Sequence, residues 1–400
     1  MTTLRELAAY ARLPLDLRSA EGSEIVLAGG RRVLDLYGGH CVNTLGAGDA
    51  ELLAAIAAQW RALSFTTNLL EHEPRAAFLA AFGENLPPGD WLAFLSNSGA
   101  EANENALKLA LAATGRARVA CFEGAFHGRT AAAAAVSDGP PSGFPAAPFG
   151  LLRLPWGDLD AASAAIDGEV AAILLEPIQS LAGVRTPPAG FLEGLRALAH
   201  EHGAALVFDE VQTGNGRTGA PWAATSFGVT PDVLTTAKGA AGGLPIGVTV
   251  ASAELAARAP AGLFGSTFGG GPTVLAAATV VARRVGAADF LAGVRATSAA
   301  LRAAASRGPV AAVRGAGLLL GLVLAEGVTA RALRDALLEE GVLVGTSDDP
   351  QVVRLSPPLT LDPVRAADLA PALERASARL AATRTARTTR TRATMGATTA

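Results

Sequence analysis

Cysteine is nearly absent: the 400-residue chain has two, Cys41 and Cys121, far apart and outside any CxxC or Cys/His cluster. Their placement supports neither a disulfide framework nor a structural zinc, and no metal site is expected. Charge is scarce too. Charged residues make up 17% of the chain and the formal net charge is −3, which gives no global basis for binding nucleic acid or an anionic membrane. The N-terminal stretch MTTLRELAAYARLPLDLRSAE lacks the apolar h-region and cleavage pattern of a secretory signal, so a cytoplasmic protein is expected. One uncharged run, 259–282, is long enough to suggest a membrane span, but it contains GLFGSTFGGGPT, whose glycines, proline and hydroxyls would break a spanning helix. It reads as a loop followed by a buried helix.

What is abundant is apolar surface. Half of the residues are hydrophobic, enough for a large core, and the length suits one large α/β domain with a smaller appendage. WLAFLSN, ARVACFEG, VAAILLEP, AALVFDEV, PDVLTTAK and PIGVTVAS read as strands that are apolar on both faces. EANENALKLALAAT, FLEGLRALAHEHG and AELLAAIAAQWRAL read as helices between them. That alternation predicts a mostly parallel sheet covered by helices, with binding residues beyond the carboxyl ends of its strands. The expected organisation is an N-terminal arm over 1–45, a large domain over 46–285 and a small α+β domain over 286–378. A basic tail over 379–400 is expected to be disordered. No internal repeat is evident.

Four stretches carry chemistry. In LSNSGAEANENALKLA, small residues sit where a strand runs into a helix, so backbone N–H groups could approach a phosphate, although an ordinary turn would look similar. LVFDEVQTGNGRTG delivers Asp209 and Glu210 to a strand end; paired acids could bind a metal, but no further ligands are evident, and an acid beneath a heteroaromatic nitrogen would keep that nitrogen protonated. FEGAFHGRT groups Phe126, which could stack on a planar ring, with Arg129, which could grip a carboxylate; His127 taken singly reads as a structural histidine. Finally, Lys238 is the only charged residue between Asp232 and Glu254. It could be a surface-turn lysine, but buried among glycine and alanine its amine would lose its proton and could condense with an aldehyde. An imine-forming lysine, an acid at a ring nitrogen, a phosphate cradle and a stacking aromatic together describe a pyridoxal phosphate site.

SNSGAEANENALKLA, AFHGRT, EPIQS, VFDEVQTGNGRTG, PDVLTTAKGAAGGLPIG, GSTFGGGP and VRLSPPL, in this order, resemble the class III aminotransferases, the acetylornithine, ornithine and ω-amino acid group, over about residues 33–360. The resemblance implies the fold type I architecture of pyridoxal-phosphate enzymes: a large domain with a mostly parallel seven-stranded sheet, a small α+β domain built from both chain ends, and a homodimer with shared active sites. It also implies roles. Lys238 matches the Schiff-base lysine and Asp209 the acid at the pyridine nitrogen. Gln212 matches the residue near the ring hydroxyl; Val211 and Phe126, with His127 beside it, match the residues on the two ring faces. Ser98, Gly99 and Ala100 match the phosphate turn, and Thr267 a threonine reaching the partner subunit's cofactor phosphate. Arg354 matches the arginine for a substrate α-carboxylate and Arg129 the one for a second carboxylate.

An amino-acid donor and a 2-oxo acid acceptor are therefore expected, with 2-oxoglutarate as acceptor and an acetylornithine-like donor, in arginine or lysine synthesis. The alternatives are another class III transaminase acting on 4-aminobutyrate, β-alanine or another amine, with pyruvate as a further acceptor, a pyridoxal-phosphate aminomutase or racemase, and a non-catalytic protein of this fold. Two departures bear on the choice. Relatives that transfer a terminal amino group usually carry a glutamate after EP-[IV]-Q-[GS], pairing with the carboxylate-binding arginine; here EPIQSLAG puts Leu181 there. The early motif LGH-x-HP is replaced by LGAGDAE, residues 45–51.

Overall fold

In strand Ala205–Asp209, Leu206 and Phe208 pack with Phe78, Leu195 and Trp222, whereas Ala205 and Val207 pack with Leu107, Ala110 and Phe149. Successive side chains of a strand point to opposite faces, so a strand apolar at every position must be covered on both sides. The cover on one face comes from helices Glu73–Gly83, Phe191–His202 and Pro272–Gly286, and on the other from Gly99–Thr114. The computed structural model describes residues 2–7, 11–139, 143–144 and 146–396, with side chains described as far as Ala382.

Strands are labelled in chain order: β1 (Leu17–Glu21), β2 (Glu24–Leu27), β3 (Arg32–Asp35), β4 (Trp91–Ser96), β5 (Arg118–Phe122), β6 (Gly150–Leu154), β7 (Val170–Leu175), β8 (Ala205–Asp209), β9 (Val233–Thr236), β10 (Gly247–Ser252), β11 (Val310–Ala316), β12 (Leu319–Leu324), β13 (Val342–Leu343), β14 (Gly345–Thr346) and β15 (Val352–Leu355). The large sheet has seven strands in the order β4-β10-β9-β8-β7-β5-β6. Pairs from β9 through to β6 are parallel, and β10 is antiparallel to both of its neighbours. Six of the seven match the apolar runs read from the sequence. The seventh, β6 (GLLRL), escaped notice because it is an edge strand with Gly150 and Leu151 exposed and Arg153 inside it.

The reversed β10 shapes one end of the sheet. Its register puts Gly247 opposite Ser96, so the segment between β9 and β10, which contains Lys238, closes over the carboxyl end of β4. The run 259–282 is a loop leading into helix Pro272–Gly286, and no helix among the described residues is long and apolar enough to cross a membrane.

The two chain ends meet in a second body. β1, β2 and β3 form a sheet with β13, which pairs in parallel with β3 through Val342 and Leu34. β11, β12, β15 and β14 form an antiparallel sheet, and Leu34, Leu320, Leu333, Val353 and Leu373 share its core with helix Ala288–Ala305. The tail expected to be disordered instead continues helix Leu369–Gly396; residues 397–400 lie outside the described ones. Alanine, leucine and arginine favour the helix, and Arg375 and Arg379 pair with Glu340, which anchors its first half.

Candidate active site

Helix Gly99–Thr114 begins with the box Ser98-Gly99-Ala100-Glu101. The Ser98 hydroxyl accepts from the Glu101 amide at 3.2 Å, and the Glu101 carboxylate accepts from the Asn97 amide at 2.7 Å. Gly99 has to be small: a Cβ there would meet both γ carbons of Val211 at 3.0 Å. The first N–H groups of this helix open onto a cavity of about 400 Å³ at the carboxyl ends of the strands, a favourable place for an anion.

Ser98, Gly99, Ala100, Phe126 and His127 line that cavity together with Asp209, Val211, Gln212 and Lys238. Three residues named from the sequence do not. Arg129 is exposed, with its guanidinium 5.8 Å from the centre of the Phe126 ring. Thr267 is exposed on the loop before helix Pro272–Gly286. Arg354 is buried behind the wall, its guanidinium donating to the Ser180 hydroxyl at 3.0 Å, and Ser180 in turn donates to Gln212 Oε1 at 2.9 Å.

Asp209, at the end of β8, is 3% exposed and held by three donors. Asn103 Nδ2 and His127 Nδ1 each donate to its Oδ2 at 2.7 Å, and the Val211 amide donates to Oδ1 at 3.0 Å. A carboxylate only accepts, so the Asp209 contact places the His127 proton on Nδ1. Its neighbour Glu210 points elsewhere, accepting from the Ala223 and Ala224 amides at 2.6 and 2.8 Å. The two acids therefore do not form a metal pair; Glu210 fastens the start of helix Ala223–Phe227.

Lys238 follows β9 with φ of 40°, a left-handed conformation that costs a non-glycine residue energy and recurs at functional sites. Its side chain reaches the cavity, yet the surrounding protein withholds enough water that burial lowers the amine pKa below the usual lysine range; Cys41, Asp209 and Glu176 oppose that shift and Arg354 adds to it. The segment LGAGDAE begins beside the residue that follows this lysine. Thr44 Oγ1, just before it, donates to the Gly239 carbonyl at 2.8 Å, Ala47 bridges to Gly22, and Asp49 caps helix Ala50–Ala62.

Asn103 and Glu176 complete the site without having been assigned roles from the sequence. Asn103 is 1% exposed inside a helix, a poor place for asparagine unless its amide is used. It donates to both Asp209 and the His127 carbonyl and accepts from Thr235 Oγ1 at 2.6 Å. Glu176 accepts from the Phe126 amide at 2.9 Å, and burial raises its carboxyl to about 7. A buried asparagine in a helix that starts at a phosphate turn is the signal that would have found Asn103.

These residues fit pyridoxal phosphate: a helix N-terminus of small residues opening onto the cavity, where a Cβ at Gly99 would crowd Val211, a fixed buried carboxylate, and an amine whose proton is easily lost. Comparison with known proteins agrees. A family profile described as aminotransferase class-III matches residues 8–377. The acetylornithine aminotransferase of Mycolicibacterium smegmatis is 42% identical over 361 residues, 88% of this chain and 90% of that protein. The N-acetylornithine aminotransferase structure from Stenotrophomonas maltophilia has a TM-score of 0.79 at 32% identity, covering 94% of this chain and 98% of that one. The ornithine aminotransferase of Toxoplasma gondii, whose structure shows partial occupancy of PLP at the active site, has a TM-score of 0.85 at 26% identity, covering 94% and 92%.

Proposed function

The chain belongs to the class III aminotransferases, enzymes that use pyridoxal phosphate, and from that premise we propose that it moves the terminal amino group of N-acetylornithine, or a similar N-acylated basic amino acid, to 2-oxoglutarate, as a step of arginine biosynthesis. The observation that carries the chemistry is the shared cavity of Lys238, its amine pKa lowered, and the fixed carboxylate of Asp209. Similarity to relatives named for acetylornithine supports the donor.

Bound in this cavity, pyridoxal phosphate supplies the electron sink for a carbon that gives up its proton. The chain's own groups do the rest. The N-terminus of helix Gly99–Thr114 would hold the phosphate, and Asp209, braced by Asn103 and His127, would pair with the ring nitrogen and keep it protonated. Val211 and Phe126 would pack against the ring, with Gln212 beside it. Lys238 is the residue that would hold the cofactor covalently, and its amine would move a proton to and from the substrate carbon; a lowered pKa suits both tasks. Arg354 and Arg129 bind the two carboxylates of glutamate and 2-oxoglutarate.

The enzyme works as a homodimer in this reading. Trp60 is 64% exposed, Leu69 91% and Phe268 68%, and the rings of Phe65 and Phe268 meet at a tilt of 49° with centroids 5.4 Å apart. Thr267, next to Phe268, then serves the partner's phosphate. A reducing compartment such as the cytoplasm accords with the two free cysteines, both buried.

The test is a set of half-reactions in which N-acetylornithine, ornithine, 4-aminobutyrate, lysine, β-alanine and glutamate are each mixed with the holoenzyme and the cofactor's visible band is followed. N-acetylornithine and glutamate are expected to convert it; conversion by glutamate alone would sink the donor assignment. Borohydride should fix the cofactor on Lys238, which is readily mapped because Lys108 is the only other lysine in the chain. Another class III transaminase with an α-amino acid as donor is the second reading, favoured by Leu181 and by the lack of any ion pair to Arg354 among the described residues.

A further inference from the structure

Arg354 is 5% exposed, and each of its three nitrogens donates one hydrogen bond to a neutral oxygen, which leaves two of its five N–H donors free of these contacts. Its Nε donates to the Thr346 carbonyl at 2.8 Å, and its two terminal nitrogens donate to Ser180 Oγ at 3.0 Å and Tyr37 Oη at 2.8 Å. Having accepted from the guanidinium, the Ser180 hydroxyl passes its own proton to Gln212 Oε1 at 2.9 Å, and the Tyr37 hydroxyl shares a hydrogen bond with His40 Nδ1 at 2.6 Å. Burial together with Arg354 and Lys238 lowers the His40 pKa, and burial raises that of the Tyr37 phenol, so both stay neutral near pH 7. The guanidinium also lies 5.5 Å from the centre of the Tyr37 ring.

The backbone is arranged for this tyrosine. Gly345, opposite Arg354 in the pairing of β14 with β15, leaves the space that the ring fills; a Cβ there would stand 2.0 Å from Tyr37 Cε2. Asp35 Oδ1 accepts from the amides of Tyr37 and Gly38 at 2.8 and 2.9 Å, and His40 and Cys41 sit in left-handed conformations at φ of 61° and 69°. Strain of that kind persists only where the surroundings impose it.

We propose that Tyr37, with Ser180, is the positioning residue that keeps Arg354 aimed at a substrate carboxylate through neutral hydroxyls, so that the guanidinium stays available in both half-reactions instead of being masked by an acid in one. The proposal rests on Arg354 as the carboxylate anchor of the transaminase. It makes an amino acid with a carboxylate on the reacting carbon, the glutamate class, the substrate that senses Tyr37, whereas a donor reacting at a terminal CH₂ does not.

Tyr37→Phe keeps the ring and removes only the hydroxyl. In single half-reactions of the holoenzyme, the concentration of glutamate giving half-maximal rate should rise about tenfold, the effect of one lost hydrogen bond to a charged group. Its limiting rate and both constants for N-acetylornithine should stay within about twofold of wild type. Gly345→Ala, which displaces the ring from the backbone side, should give the same split. An unchanged glutamate constant in Tyr37→Phe, or equal losses with glutamate and N-acetylornithine, would overturn the proposal. If wild-type enzyme does not react with N-acetylornithine, the donor assignment fails separately, and the glutamate constant and limiting rate still decide the role of Tyr37.

Discussion

At the scale of single residues, Asn103 shows how one side chain can brace several parts of a site. Its amide fastens Asp209 to the His127 carbonyl and takes the Thr235 hydroxyl. Asn103→Ala leaves buried partners unsatisfied, so it should cost about 1–3 kcal/mol of stability in denaturant melts and slow both half-reactions. A melt unchanged from wild type would show that water replaces the amide. Lys238 offers a pH test. Because its folded-state pKa lies below the ordinary lysine value, acylation of the cofactor-free protein should begin to label Lys238 at a pH below the usual lysine range, read by mass spectrometry of the Lys238 peptide. Labelling that rises only at the ordinary lysine pH would contradict the burial argument. Sequence alone pointed to Lys238 and Asp209, since a lone lysine among glycines and an acid ending an apolar strand are visible in one dimension. Tyr37 was not legible that way, since it belongs to none of the motifs, and Ser180 was visible only as the last residue of EPIQS; the meaning of both lies in contacts with Arg354 from distant parts of the chain.

At the scale of elements, the apolar runs announced six strands of the large sheet because central strands are apolar on both faces, while β6 was hidden by its exposed side. The reversal of β10 was not readable either, since an apolar run carries no direction. Yet that reversal builds the cradle. A Cβ on Gly247 would stand 2.2 Å from the Ser98 carbonyl oxygen, so Gly247→Ala should push the turn away and weaken cofactor binding by about tenfold or more in a spectral titration, whereas Gly83→Ala, with nothing within 4 Å of its Cβ, should not. Helix Ala223–Phe227 depends on Glu210, whose carboxyl burial raises from 4.5 to about 7 despite the hydrogen bonds that oppose it. A raised carboxyl favours folding most below its unfolded pKa, and that contribution fades as pH climbs through the folded value. Wild type should therefore lose more Tm than Glu210→Gln between about pH 5 and 8; parallel Tm curves would argue that Glu210 is ionised throughout.

At the scale of the whole molecule, the exposed apolar residues Trp60, Leu69 and Phe268 are where the proposed dimer can be tested. Trp60→Glu should shift the protein toward monomer in sedimentation, and activity should fall with the dimer fraction if, as proposed, Thr267 serves the partner's site. A fully dimeric variant would move the interface elsewhere. The pairing of β3 with β13 has a consequence in time. Leu34 cannot meet Val342 until the ribosome has added about 300 further residues, on the order of 15–60 s at ordinary elongation speeds. All the cavity-lining residues, Val42 to Ile246, emerge well before that. A nascent chain can thus assemble its cofactor pocket early, while Tyr37 waits for Arg354, so that on the proposed role of this pair substrate choice is among the last things synthesis completes.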